Sequence, residues 1–178
     1  AEEGGRAWEA CMTMNDSWGY HRADDNWKTP KQVVRNLVTC ARDGGNYLFN
    51  IGPKADGSIP APSVRILSKV GDWMQRNGEA IYGADICQVK RSQVANFTRR
   101  GKTLYVHVHF WPGSELAIGG LRGKIKSAHL LCNGQRVEFE QDRWRVRLYG
   151  LPNKAPDDPV TVLALECASE PRQDMEAL

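Results

Sequence analysis

The sequence predicts an α/β part followed by an all-β part. Up to about residue 88, strand-like and helix-like patterns alternate with short links, as in a parallel α/β fold. Beyond residue 88, short runs of alternating apolar and polar residues are separated by turn signals. With 178 residues, the chain is long enough for one ordinary domain or two small ones.

The α/β part begins with a strand and a capped helix. The strand is predicted over the apolar run from Trp8 to Met14. The helix begins at Thr29-Pro30, because threonine suits the N-cap and proline suits the first helical position. It ends at Gly44-Gly45. Its apolar face is predicted to carry Val33, Val34, Leu37, Val38 and Ala41.

A second strand and helix follow. The strand is predicted over Asn46–Gly52, which is apolar on both faces, as in a strand buried on both sides. A turn-rich loop, 53–60, leads into a helix predicted over Ala61–Asn77. One face of this helix is predicted to hold Val64, Leu67, Val70, Gly71 and Met74.

The all-β part reads as an antiparallel β-sandwich of six to eight strands, followed by a polar tail over residues 171–178. Hairpins are predicted at Arg99-Arg100-Gly101 and at Asn133-Gly134. One predicted strand has an apolar face made of Leu104, Val106, Val108 and Phe110. Its other face carries Tyr105, His107 and His109 and is predicted to be a polar outer face rather than a metal site.

Composition narrows the possible partners. The hydrophobic and charged fractions of 41% and 25% are those of a globular protein, and a formal charge of +3 does not favour a nucleic-acid partner. No apolar stretch is long enough to predict a membrane span, and residues 1–6 do not form a signal peptide. The five cysteines lie far apart, without metal-ligand spacing, so no metal or cofactor is predicted.

Glu9 is the first candidate for chemistry, since it lies within an apolar strand-like run. A buried carboxylate is costly unless it is paired or lies at an open barrel end. A carboxylic acid with a raised pKa is the group that a glycosidase uses to protonate a leaving oxygen. The residue types alone favour a structural, salt-bridged glutamate over this role.

The loop after the first strand crowds Trp18, Tyr20 and Trp27 together with His21 and several carboxylates. Aromatic faces beside polar groups can bind a sugar, but buried tryptophans can equally anchor a loop, and both interpretations stay open. Asn50 and Lys54 follow the second strand at the end where an α/β active site would lie. A loop-shaping role is favoured for Asn50. Two N-glycosylation patterns occur, at Asn15 and at Asn96.

Four motifs in one order resemble glycoside hydrolase family 29, the α-L-fucosidases. They are Trp8-Glu9-Ala10-Cys11-Met12-Thr13 with Asn15-Asp16-Ser17-Trp18-Gly19-Tyr20; Gly44-Gly45-Asn46-Tyr47-Leu48-Phe49-Asn50-Ile51-Gly52-Pro53; Asp56-Gly57; and Asn77-Gly78-Glu79-Ala80-Ile81-Tyr82-Gly83. The resemblance covers residues 7 to about 87. It implies the C-terminal part of a (β/α)8-like catalytic barrel over residues 1–87 and the family's β-sandwich over residues 88–170.

The resemblance also implies an activity. The family hydrolyses terminal α-L-fucose from glycans with retention, using an aspartate nucleophile and a second carboxylic acid. Glu9 matches the acid/base, and Trp18 and Tyr20 match the motif beside the sugar site; Trp27 joins them as a candidate substrate contact. No aspartate here matches the nucleophile motif, so a preceding barrel portion or a partner chain is expected to supply it, and this chain alone is expected to be inactive.

Two other interpretations stay open. One is a non-catalytic remnant of the family, and the other is an accessory β-sandwich that binds glycans or packs on a partner chain. Trp111, Trp144 and Tyr149 are its aromatic candidates, although they can equally be core residues. The family resemblance implies a secreted, periplasmic or lysosomal location. The oligomeric state is left undetermined.

Overall fold

The computed structural model of the protein describes residues 7–89 and 92–174. Residues 1–6 and the end of the predicted polar tail (175–178) lie outside these residues. Within the described part, no helix combines the length and apolar character needed to cross a membrane. The first half consists of β1 (Glu9–Thr13), α1 (Pro30–Arg42), β2 (Asn46–Asn50), α2 (Ala61–Asn77) and a 3-10 turn (Gly78–Ala80).

Helix α1 begins as the sequence predicts. The Thr29 hydroxyl accepts a hydrogen bond from the Gln32 backbone N–H at 3.2 Å, and the Gln32 side chain accepts one from the Thr29 N–H at 2.7 Å. This reciprocal capping box satisfies two of the donors that a helix start leaves unpaired. The helix buries Val33, Val34, Val38 and Cys40.

Strands β1 and β2 form a parallel pair, in register from Glu9 opposite Asn46 to Thr13 opposite Asn50. The face carrying Met12, Tyr47 and Phe49 lies on the helix side, where the Asn36 side chain on α1 reaches both the Met12 sulfur and the Tyr47 hydroxyl. The opposite face is open, and Leu48 on it is 51% exposed. The expectation that the second strand is buried on both sides is therefore wrong for this chain.

The second half is β-rich, as predicted, with nine short strands in the described residues instead of six to eight. Three antiparallel sheets form, with the orders β3-β4-β10-β7, β5-β9-β8 and β6-β11. The strands are β3 (Ala95–Arg100), β4 (Thr103–Val108), β5 (Glu115–Gly119), β6 (Leu121–Arg122), β7 (Ile125–Leu130), β8 (Glu138–Gln141), β9 (Arg145–Tyr149), β10 (Thr161–Cys167) and β11 (Arg172–Gln173).

One hydrophobic core lies between the four-stranded and three-stranded sheets. The predicted alternation is confirmed on β4, where Leu104, Val106 and Val108 are buried in this core. Phe110, expected on the same face, lies beyond the strand and is 52% exposed under Lys31 and Arg35. Cys87 and Val89, next to the predicted domain boundary, are also fully buried here.

The other face of the four-stranded sheet forms a second core with the helices. Tyr105 and Val162 from the sheet pack with Val34 of α1 and Trp73 of α2. The face of β4 predicted to be polar and outward is therefore covered: His107 is 0% exposed, and His109 is also buried. The prediction failed because period-two alternation does not distinguish a solvent face from one covered by helices.

Helix α2 has the predicted bounds, but its inward face only partly matches the predicted one, with Val70 and Met74 in common. Its buried residues are Ser63, Val70, Trp73 and Asn77, whereas Val64, predicted as core, is 49% exposed. The Trp73 indole decides the orientation, because its N–H donates to the Val160 carbonyl at 2.7 Å across the second core. Asn77 donates to Asp157 at 2.7 Å and fixes the end of the helix on the same loop.

The 3-10 turn after α2 is bonded to the sheet by a short chain of hydrogen bonds. The Thr98 hydroxyl donates to the Ala80 carbonyl at 2.6 Å, and its oxygen lies 2.8 Å from His107 Nε2. Because the single hydroxyl hydrogen goes to Ala80, we infer that His107 carries its proton on Nε2 and donates it to Thr98. His107 Nδ1 is buried and has no hydrogen-bond partner among the described residues.

Two smaller expectations are also corrected. A buried thiol is the default for a cysteine within a strand-like or helix-like run, but Cys11 is exposed and Cys132 is only half-buried, whereas Cys40 and Cys167 are buried. Residues 172–173 of the predicted polar tail form β11, because Arg172 and Gln173 pair with Arg122 and Leu121.

The buried histidines make stability depend on pH. Burial lowers the pKa of His107 to about 3, and burial with the nearby Lys31 and Arg35 charges lowers that of His109 to about 4. In the unfolded chain both histidines have a pKa of about 6.5, so as the pH falls the unfolded state binds protons that the folded state does not bind. We expect the free energy of unfolding to fall from pH 7 towards pH 4, by up to about 1.4 kcal/mol per pH unit for each histidine.

Urea unfolding between pH 7 and pH 4 measures this slope. His109→Gln should flatten it whatever its effect on stability at pH 7, and the matched change at the exposed His21, His21→Gln, should leave the slope intact. Equal slopes in the wild type and in His109→Gln would contradict the prediction.

Candidate functional site

The carboxyl ends of β1 and β2 carry a polar, aromatic rim. Asn50 ends β2, and its side-chain amide donates to the Thr13 hydroxyl at 2.8 Å and to the Trp18 carbonyl at 2.6 Å. The Thr13 hydroxyl in turn donates to the Ser17 carbonyl at 3.2 Å. Asn50 thus connects the end of each strand to the loop 14–28, which is the loop-shaping role favoured from the sequence.

Gly52 allows the two loops to approach each other. It adopts a φ of +52°, a left-handed conformation that favours glycine. A Cβ atom at this position would lie 3.3 Å from the Trp18 carbonyl oxygen and from the Gly19 carbonyl carbon. A side chain here would push the aromatic loop away from β2, so the residue type is explained by both backbone and space.

The Asp24 carboxylate organises the interior of the aromatic loop. It accepts hydrogen bonds from the backbone N–H groups of Ser17 at 2.9 Å and Asp16 at 3.2 Å, and from that of Asn26 at 3.3 Å. Desolvation alone would raise the pKa of Asp24, but these hydrogen bonds outweigh it and lower the pKa. Asn26 also donates to both carboxylate oxygens of Asp16. Both carboxylates therefore serve as acceptors that hold the loop.

The aromatic candidates differ in exposure. Trp18 and Tyr20 are 56% and 44% exposed, and the Lys54 ammonium lies 5.9 Å from the centre of the Tyr20 ring. Trp27 is half-buried, so it leaves less ring surface for a ligand. His21 is exposed on the same loop. The rim therefore presents two open aromatic rings and one cation beside polar backbone.

Glu9 lies at the opposite end of the strand pair. It begins β1, four residues before Thr13, which corresponds to about 13 Å along a strand. It is exposed, without an ion pair among the described residues, so neither the buried carboxylate nor the salt-bridged one expected from the sequence is present here. Glu9 shares the open face of the sheet with Cys11 and Leu48, because alternate residues of paired strands point the same way.

Trp8 supports the start of this strand pair. Its indole N–H donates to the Asp43 carbonyl at 3.1 Å, and its ring lies directly on Gly45. A Cβ atom on Gly45 would come within 2.2 Å of the ring, which explains the pairing of tryptophan and glycine in the two motifs. Trp8 therefore has a packing role.

Neither glycosylation pattern is favoured by its surroundings. Asn15 is 6% exposed. The Asn96 side chain is half-buried in β3 and donates to the Thr39 hydroxyl of α1 at 3.2 Å. Among residues 7–89 and 92–174, no group of three or more His, Cys, Asp or Glu side chains is placed to hold a metal ion.

Sequence reasoning did not find the residues that hold the rim together. Thr13 is bonded to Asn50, which is 37 residues away in sequence, and no spacing rule predicts such a contact. Asp24 bonds to backbone N–H groups two, seven and eight residues away, and only the first of these follows a local turn pattern. The other local signal was Asn50 itself, a polar residue at the end of a buried-looking strand.

The fold has clear counterparts among known proteins. The family model for α-L-fucosidase matches residues 1–79. α-L-Fucosidase isoenzyme 1 from Paenibacillus thiaminolyticus superposes with a TM-score of 0.85 at 38% identity, over 92% of this chain and 40% of that one. Tissue α-L-fucosidase of Mus musculus is 35% identical over 169 residues, and plasma α-L-fucosidase of Rattus norvegicus is 45% identical over 147.

All of these relatives are named as α-L-fucosidases, which are glycoside hydrolases. The chain belongs to the α-L-fucosidase family, as its motifs indicated. The mouse alignment includes 90% of this chain but only 36% of the mouse protein. The rat alignment includes 76% of this chain and 32% of the rat protein.

Asn50 gives a direct test of how the rim is held. Asn50→Ala removes the side-chain hydrogen bonds to the Thr13 hydroxyl at the end of β1 and to the Trp18 carbonyl in the loop, and we expect a loss of about 1–3 kcal/mol in the free energy of unfolding. We also expect faster hydrogen exchange in residues 14–28. Asn46→Ala is the matched control, because Asn46 begins the same strand on the same face and its side chain is exposed. Unchanged exchange in 14–28 would contradict the role.

Proposed function

We propose that this chain forms part of a retaining exo-glycosidase that hydrolyses terminal α-L-fucose from oligosaccharides or glycoconjugates. The carrying observation is the rim at the carboxyl edge of β1 and β2, where Trp18 and Tyr20 are exposed and Asn50 fixes their loop. Ligands of parallel α/β folds bind at this edge, and aromatic faces beside polar groups suit a sugar ring. Family membership supplies the substrate class.

The open face of the strand pair supports a larger barrel. Leu48 is 51% exposed there, Cys11 is exposed beside it, and both strands have a free edge in the described chain. A two-stranded parallel pair with an apolar open face needs further strands to pair with and to cover it. We propose that a preceding barrel portion, or a partner chain, fills this place and carries the aspartate nucleophile.

The proposed activity is tested on the complete protein with an aryl α-L-fucoside. We expect release of fucose as the α-anomer first, because a retaining mechanism passes through a covalent glycosyl-enzyme intermediate. Proton NMR of the anomeric signals in the first minutes measures this. Initial formation of the β-anomer would exclude retention, and no fucose release would favour the non-catalytic remnant.

Glu9 is our proposed general acid/base. Two considerations bear on it. A barrel that covers the open face would also take Glu9 out of water, which would give it the environment of a catalytic acid. Its place about 13 Å before the rim is the argument against it, because barrel active sites form at the other end of the strands.

The way in which the activity of variants depends on the leaving group distinguishes an acid/base at Glu9 from one at the rim. In the complete protein, Glu9→Gln should lower kcat/KM by about 10²-fold or more for a glycoside with a poor leaving group and spare one with an activated leaving group, which needs no proton. Asp16→Asn, which changes a carboxylate at the rim, is the matched comparison. Equal loss on both substrates would make Glu9 structural, and a selective loss with Asp16→Asn would move the acid/base to the rim.

A glycan-binding role of the β-rich part is the second candidate function, favoured by one observation. Of its three aromatic candidates, Trp144 is 56% exposed, whereas Trp111 is half-buried and donates to the Pro152 carbonyl, and Tyr149 is half-buried. Of the proposed secreted, periplasmic or lysosomal locations, the name of the plasma relative supports the secreted one.

A further inference from the structure

A groove opens in the β-rich part, between the β6–β7 connection and the end of β8. Its volume is about 530 Å³, within the range of small-ligand sites. Its lining includes Arg122 and Lys124 together with Phe139, Gln141 and Asp142. All of these belong to the part of the chain that follows the fucosidase rim in sequence.

Hydrogen bonds fix the residues that line the groove. The Gln141 side chain accepts a hydrogen bond from the Ile125 N–H and donates to the Gly123 carbonyl, both at 3.0 Å, so it connects β8 to the β6–β7 connection. Arg122 forms an ion pair with Asp174 and also donates to the Arg143 carbonyl at 3.3 Å. The groove is therefore preformed, which lowers the entropic cost of binding.

The tight turn that follows the groove in sequence carries an exposed aromatic residue. Asp142 lines the groove and accepts hydrogen bonds from the backbone N–H groups of Trp144 at 2.6 Å and Arg145 at 2.9 Å. These bonds lower the pKa of Asp142, so it stays ionised and the turn stays capped. Trp144 is 56% exposed, with the Arg143 guanidinium 5.0 Å from the centre of its ring.

Basic residues occur both in the groove lining and on the turn. Lys124 is exposed and forms no ion pair among the described residues, and Arg143 and Arg145 flank Trp144 on the turn. Two carboxylates of this region are already engaged, Asp174 with Arg122 and Asp142 with the turn. An exposed aromatic residue next to lysine and arginine side chains suits a sugar ring that bears an anionic group, since arginine binds carboxylate and sulfate oxygens in pairs.

We propose that this groove and Trp144 bind an acidic saccharide, a sugar carrying a carboxylate or a sulfate ester. The ring stacks on Trp144, and the anionic group is bound by Lys124 with Arg143 or Arg145. The site is separate from the rim at β1 and β2. It would hold the protein on acidic glycans whether or not the chain takes part in fucose release, so its failure leaves the fucosidase proposal intact.

Titration of the complete protein tests the site. The probes are a sulfated oligosaccharide, a uronic-acid oligosaccharide and a neutral oligosaccharide of equal length, with inorganic sulfate as the fourth. We expect either acidic probe to bind at least about tenfold more tightly than the neutral one, with affinity falling as salt is raised. The better of the two acidic probes identifies the anionic group.

Substitutions locate the binding. Trp144→Ala should weaken the acidic probes by about fivefold or more, and Lys124→Gln should weaken them while sparing the neutral probe. The matched controls are Trp18→Ala, whose ring is equally exposed, and Lys102→Gln, an exposed lysine elsewhere. Because both target side chains are exposed, thermal unfolding should be unchanged.

Three results would overturn the proposal. One is equal binding of neutral and acidic probes. Another is loss of binding with Trp18→Ala but not with Trp144→Ala, which would place the sugar at the rim. The third is that inorganic sulfate matches the acidic saccharides and ignores Trp144→Ala, which would mean that the patch attracts anions without recognising a sugar.

Discussion

The packing of two helices on one face of the four-stranded sheet is the constraint on which the rest of this structure depends. Trp73 is fully buried in that interface, and its indole N–H is satisfied by the Val160 carbonyl, so a large aromatic ring is buried without an unpaired donor. The same interface fixes where α2 ends, because Asn77 is bonded to Asp157. Helix α1, in contact with β2 and β3, then sets the position of the parallel strands.

The rim inherits its geometry from this arrangement. Asn50 and Thr13 end two strands whose other face rests on the α1 side, so their side chains reach the aromatic loop in a fixed register. Asp24 then holds the loop from inside through backbone N–H groups. The exposed rings of Trp18 and Tyr20 are therefore presented by polar contacts to the strand ends rather than by a hydrophobic core of their own.

The sequence predicted local features well and shared surfaces poorly. The Thr29 cap and the bounds of α2 were correct, since capping and helix-breaking residues act within a few positions. The inward face of α2 was only partly correct and the burial of His107 was wrong, because both depend on which element covers the sheet. The family motifs identified the region around Trp18, but Thr13 and Asp24 hold the rim through contacts that only the folded chain creates.

The second core belongs to neither half of the chain. Tyr105 and Val162 belong to it from the β-rich side, and Val34 and Trp73 from the helical side. Cys87 and Val89, in the segment that connects the two halves, are buried in the core between the sheets. Because this core is shared, recombination could not append the β-rich half by itself to another protein. Substitutions on one side of this interface must be matched on the other, so the two halves are expected to diverge together and to be inherited as one piece.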